Sequence, residues 1–146
     1  MMSPRCRRLM GAAPVLMAAF LLASCGSSTD TPTAPTEAAT TTQTFSGTLV
    51  TGGLNFHPFA VPKAGLITLK MVSISGLANP VLGAGLGTWD GTTCTAIANS
   101  TSNTVSAGWS MSGTAQAANF CAAVFDSGNV TAGSTATYSI TITHPI

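Results

Sequence analysis

From Phe45 onward the chain alternates between apolar and small polar side chains, and a period of two commits it to strands. Ala136, Tyr138, Ile140 and Ile142 alternate with Thr135, Thr137, Ser139, Thr141 and Thr143. Val105, Ala107, Trp109 and Met111 alternate with Ser106, Gly108, Ser110 and Ser112. Phe45, Gly47 and Leu49, and again Ile67, Leu69 and Met71, follow the same rhythm. Asn119 to Phe125 is apolar on both sides, as a central strand is. Turn residues punctuate these runs: Gly52-Gly53, Pro62-Lys63-Ala64-Gly65, Asn79-Pro80, Asp90-Gly91 and Asp126-Ser127-Gly128-Asn129. Their spacing predicts about eight strands in an antiparallel, all-β sandwich. Helical periodicity is not found after residue 44.

The surface chemistry is unusual. Charged residues make up only 6% of the 146 residues, against about 25% in an ordinary globular chain. Thr, Ser, Asn and Gly must supply the polar surface, and these favour strands, caps and turns over helix interiors. Three of the five basic residues, Arg5, Arg7 and Arg8, lie at the extreme N-terminus. The remainder holds Lys63 and Lys70 against Asp30, Glu37, Asp90 and Asp126, a net −2. That excludes the basic footprint of a nucleic-acid binder and a polybasic membrane patch.

The N-terminus reads as an address. The three arginines precede an apolar run, Leu9–Ala23, that is shorter than the ~20 residues of a spanning helix. It ends in Leu22-Ala23-Ser24-Cys25, which resembles the lipobox of bacterial lipoproteins. The resemblance implies a signal peptide over residues 1–24, cleavage between Ser24 and Cys25, and a diacylglycerol thioether on Cys25. Acyl chains of the palmitate kind would then anchor the chain stably, at ~0.8 kcal/mol per buried methylene. Gly26 stands where an Asp signals inner-membrane retention in Gram-negative systems, so the outer membrane is the expected address. After Cys25, residues 26–43 contain nothing apolar larger than Ala. Residues 25–44 are therefore read as the lipidated Cys and a disordered Thr/Pro/Ser-rich linker, with an r.m.s. span of roughly 25 Å.

Residues 45–146 also carry a family likeness. Phe45-Ser46-Gly47-Thr48-Leu49, Phe56, Phe59-Ala60-Val61, Ala64-Gly65-Leu66-Ile67-Thr68-Leu69, Phe120-Cys121 to Asp126, Gly128-Asn129 and Tyr138-Ser139-Ile140-Thr141-Ile142 resemble the bacterial pre-peptidase C-terminal domain. This implies a jelly-roll-like sandwich in a secreted protein, often beside peptidases, and in some members calcium or polymer binding. Leu54-Asn55-Phe56 stands where members often carry acidic residues.

Few residues can carry chemistry. Cys94 and Cys121 are the cysteines of the domain, since Cys6 leaves with the signal and Cys25 takes lipid. In an oxidising compartment they are expected to pair, contributing roughly 3.5 kcal/mol on the chain-entropy model. No Cys or His pair has zinc-ligand spacing, and no cofactor is expected. His57 and His144 are the only imidazoles after the signal. A Ser–His–Asp site would need one of them beside Asp90 or Asp126, and no Gly-x-Ser-x-Gly elbow exists. Structural or surface roles are the expectation for both. Asp90 and Asp126 sit at turns, where capping is the expected role; calcium needs about six to eight oxygens. Trp89 precedes a turn and is the candidate ligand contact, with packing as the competing role; Trp109 reads as core. The expectation is a monomeric, non-catalytic interaction module for protein or glycan. A passive surface lipoprotein and an accessory domain of a hydrolase system are the alternatives.

Overall fold

The structure is a computed structural model that describes residues 38–146. The expected signal peptide over residues 1–24, with Ser24, Cys25 and most of the expected linker, falls outside the described residues. The described residues form one compact unit of eight strands: β1 (Thr40–Leu49), β2 (Leu54–Val61), β3 (Gly65–Ser75), β4 (Leu82–Trp89), β5 (Cys94–Val105), β6 (Ser110–Ala115), β7 (Ala118–Phe125) and β8 (Ala136–Pro145). They make two four-stranded sheets, ordered β1-β8-β3-β6 and β2-β7-β4-β5, and every pairing is antiparallel. Apart from the β4–β5 hairpin, the chain crosses from one sheet to the other at each step. The order is that of a jelly roll, so the expected all-β sandwich holds.

The core lies between the sheets and follows the alternation. Tyr138, Ile140 and Ile142 of β8 point inward, with Ile67, Leu69 and Met71 of β3 beside them. Phe59 and Val61 of β2, Leu82, Ala84 and Leu86 of β4, and Phe120, Ala122 and Val124 of β7 close the layer from the other sheet. Each large apolar side chain buried this way contributes about 1.5–3 kcal/mol relative to exposure. β7 lies between β2 and β4, the central position its two-sided apolarity predicts.

Two boundaries differ from the sequence reading. β1 begins at Thr40, so residues 40–44 are strand and not linker. Thr is a good strand former, and here each residue has a partner: Thr40 to Thr44 pair with Pro145 to Thr141. The Thr42 and Thr143 hydroxyls meet at 2.8 Å. The second difference is in the run Val105–Met111, which is not one strand. Val105 ends β5 in one sheet and Ser110 opens β6 in the other. Between them Gly108 takes φ +89°, a left-handed conformation that glycine adopts without steric cost. Trp109 N–H then closes the turn onto Ser106 O at 3.0 Å. Trp109 is half-buried and packs on the edge of the core.

Candidate functional site

The two sheets present different outer faces. On β1-β8-β3-β6 the outward residues form ranks across the strands. Thr42, Thr143, Thr68 and Ser112 stand in one rank, Thr44, Thr141, Lys70 and Ser110 in the next. Neighbouring hydroxyls bond to each other, Thr68 to Ser112 at 2.8 Å and Ser75 to Thr137 at 2.6 Å. This is a largely polar, solvated face with its hydrogen bonds partly satisfied internally, interrupted by the exposed Leu66 and Val72 of β3.

The outer face of β2-β7-β4-β5 is apolar, and β2 shows why. Phe59 and Val61 are buried, which fixes the inward parity of the strand. Asn55 and His57 share that parity, whereas Leu54 and Phe56 point outward and are 51% and 41% exposed. The first half of β2 is thus inverted, polar inside and apolar outside. The inward pair is satisfied locally. Asn55 Nδ2 donates to Thr48 O and to the Tyr138 hydroxyl, both at 3.0 Å. The Tyr138 hydroxyl also hydrogen-bonds with His57 Nε2 at 2.7 Å. Burial pushes the His57 pKa below its ordinary value and the Tyr138 pKa above its own. The Phe45 ring packs tilted against the imidazole, with centroids 5.1 Å apart. Gly47 leaves the room, since a Cβ there would collide with the Tyr138 hydroxyl.

On the outside, Leu54 pairs with Phe125, and Phe56 with Ala123. Ala123 pairs in turn with Gly85 of β4. The outward positions of β4 are Gly83, Gly85 and Gly87, and each is roofed. The Phe125 ring lies over Gly83. A Cβ on Gly85 would meet Ser100 O at 2.7 Å; one on Gly87 would meet Thr95 O at 2.6 Å and both sulfurs of the Cys94–Cys121 bond at 2.9 Å. Strand β5 therefore curls over the outer side of β4, and the glycines let its backbone approach. The disulfide holds the curl to β7. Between this curled strand and the Leu54–Phe56–Phe125 ridge runs an open groove of about 230 Å³. Its floor is Gly85 and Ala123, its far wall Cys94, Ala96 and Thr101. The Thr101 hydroxyl is the one side-chain polar group among these.

The residues singled out in the sequence divide into three groups. The Cys94–Cys121 disulfide is present and forms part of the groove wall. Trp89 is half-buried and continues the outward parity of Gly83, Gly85 and Gly87, opposite Cys94. It shares the groove's face without lining the groove. The titratable residues are engaged separately. His144 is buried, with Nδ1 donating to Pro145 O at 2.9 Å and Nε2 accepting from the Gln43 amide at 3.0 Å. Asp90 Oδ1 accepts the Thr92 and Thr93 N–H groups at 2.8 and 2.7 Å. Asp126 Oδ2 accepts Gly52 N–H, and its Oδ1 accepts those of Gly128, Asn129 and Val130. Backbone donors hold both carboxyls below the usual carboxylate range, led by Thr92 for Asp90 and Gly52 for Asp126. Both aspartates thus cap turns. No carboxylate is a hydrogen-bond partner of either imidazole, and no group of three His, Cys, Asp or Glu residues clusters as a metal site among the described residues.

Sequence reasoning missed Leu54, Phe56 and Phe125 as a surface. The parity of β2 was available, because Phe59 and Val61 place Phe56 outside; the curl of β5 that makes a groove of it has no local signal. No protein-family model matches the chain, and no curated protein matches it.

Proposed function

We propose that the chain is a lipoprotein of the bacterial cell envelope that displays a non-catalytic β-sandwich binding module for protein or glycan. The observation that supports this most is the inverted first half of β2. It spends buried space on Asn55 and His57 and exposes Leu54 and Phe56 beside a groove. Exposed apolar patches of this kind mark interaction sites. The groove's lining favours an apolar side chain of a protein over a sugar, which needs more hydrogen-bonding groups than Thr101 offers. The lipobox-like Leu22-Ala23-Ser24-Cys25 supports anchoring through Cys25, with Gly26 favouring the outer membrane. The likeness to the pre-peptidase C-terminal domain supports an accessory role outside the cytoplasm.

The test has two parts. Cells fed radioactive palmitate label the wild-type chain and not Cys25→Ala; equal label in both removes the anchor from the reading. The chain from residue 26 onward, immobilised, retains an envelope protein or glycan that the Leu54→Ser/Phe56→Ser pair and Trp89→Ala release in that order of severity. Retention unaffected by both, or turnover of a substrate by the pure chain that His57→Ala abolishes, overturns the binding reading. The hydroxyl-bearing face of the other sheet favours a second reading, a passive surface lipoprotein without a specific ligand, which predicts no retention at all.

A further inference from the structure

We propose that a hollow between β5 and β6 is a second binding site, for one small uncharged ring bearing a hydroxyl or amide. It lies where the two sheets come apart, and Gly113 of β6 marks it. Gly113 pairs with Ile67 of β3, which is buried, so position 113 has the inward parity, although the residue itself stands exposed at the open edge of the sandwich. Yet a Cβ built there meets no heavy atom within 4 Å. Its φ is not among the positive values that call for glycine. Gly47, Gly83, Gly85 and Gly87 are required by close neighbours; at Gly113 neither crowding nor backbone conformation requires one, and the missing side chain leaves space.

Strand β5 builds the opposite wall. Gly85 pairs with Thr101 and Gly87 with Ala96, so Leu86 alone faces the four residues Ile97–Ser100. The excess is accommodated by Asn99 at φ 60°, the left-handed conformation that Asn tolerates better than most residues. This bulge carries Ile97 and Ser100 to the hollow.

The space measures about 220 Å³. Its floor is the buried trio Ile67, Leu86 and Phe120, and Thr114, Gln116 and Ser100 ring the mouth. An apolar cavity of ~150 Å³ suffices for benzene, and drug-sized ligands take ~300 Å³ or more. A single ring therefore fits. An apolar floor orders the ring, and the hydroxyls and carboxamide at the mouth take one polar substituent. None of the lining residues is charged, so a charged ligand would surrender its solvation with no counter-charge to replace it.

Phenol is the probe. In the ¹⁵N-labelled chain from residue 26 onward, phenol should give saturable shifts at Gly113, Ser100 and Gln116. The Cβ of Gly113→Leu meets no neighbour and the rest of its side chain occupies the hollow, so it should abolish those shifts while leaving Tm equal or higher. Gln116→Ala leaves the cavity open and should weaken phenol binding several-fold without changing Tm. The proposal falls if shifts do not saturate, if they persist in Gly113→Leu, or if they centre on Leu54 and Phe56. It also falls if Gly113→Leu lowers Tm, since the position would then be filled already.

Discussion

The two outer faces of this sandwich are built on the same four-strand plan and differ in almost everything else. On β1-β8-β3-β6 the alternation is cleaner: apolar residues inside, mostly Ser and Thr outside with hydroxyls bonded in ranks, and Leu66 and Val72 of β3 the exposed apolar exceptions. On β2-β7-β4-β5 it is blurred. Leu82 to Gly87 are buried without a break, because β5 and the Phe125 ring cover the strand from outside. The lesson is that a period-two pattern locates a sheet face only while one side stays wet. Where a neighbouring strand folds back over that side, glycine replaces the polar partner and the pattern stops reporting on solvent.

That contrast yields graded expectations. The largest effect belongs to the disulfide, which pins the curl of β5. Replacing both Cys94 and Cys121 by Ala should cost about 3.5 kcal/mol, measured by urea unfolding; a loss under about 1 kcal/mol would mean that the curl holds without its staple. Next come the roofed glycines. Gly87→Ala or Gly85→Ala should cost about 1–3 kcal/mol by overpacking, and equal stability would show that β5 does not lie where described. No such cost attends a hydroxyl rank on the opposite sheet.

The pH dependence tests what joins the two sheets at the β1–β2 side. His57 of one sheet hydrogen-bonds with the Tyr138 hydroxyl of the other. Its folded pKa lies below the ordinary 6.5, so the unfolded chain binds the proton more readily. Stability from this group is complete above pH 6.5 and is lost as pH falls below it toward the lower folded value. His57→Gln should flatten that part of a denaturation-versus-pH curve; an unchanged slope would place the titration elsewhere. Smallest of all in stability are exposed substitutions. Leu54→Ser with Phe56→Ser, and Thr44→Val with Thr141→Val, should each shift unfolding by no more than ~0.5 kcal/mol per site. They should separate by fluorescence of an apolar dye, which the first pair lowers and the second does not. Identical dye response would erase the functional distinction between the faces.

Much of the fold is written in local alternation. β8 and β3 are legible residue by residue, β7 is recognisable as central, and the turn residues mark five of the connections. The disulfide is legible by elimination among four cysteines. The rest depends on contacts distant in sequence. Thr40–Thr44 look like linker until β8 supplies hydrogen-bond partners. Ser106–Trp109 keep the alternation going straight through a turn that exists because β5 and β6 belong to different sheets. The groove requires the β5 curl and three glycines together, and no window of sequence contains both walls. His144 was nearer to hand: it continues the inward parity of Tyr138, Ile140 and Ile142, and its burial follows.

One feature of β1 has a mechanical side. This first strand pairs antiparallel along its whole length with β8, and the ladder extends to a bond from Ile146 N–H to Ala39 O. A pull on the chain ahead of Thr40, with the body of the sandwich held, acts along the axis of β1. The ladder's hydrogen bonds lie across that axis and share the load in shear, where a perpendicular pull would peel them off one by one. A module tethered from this end is built to be tugged without unravelling.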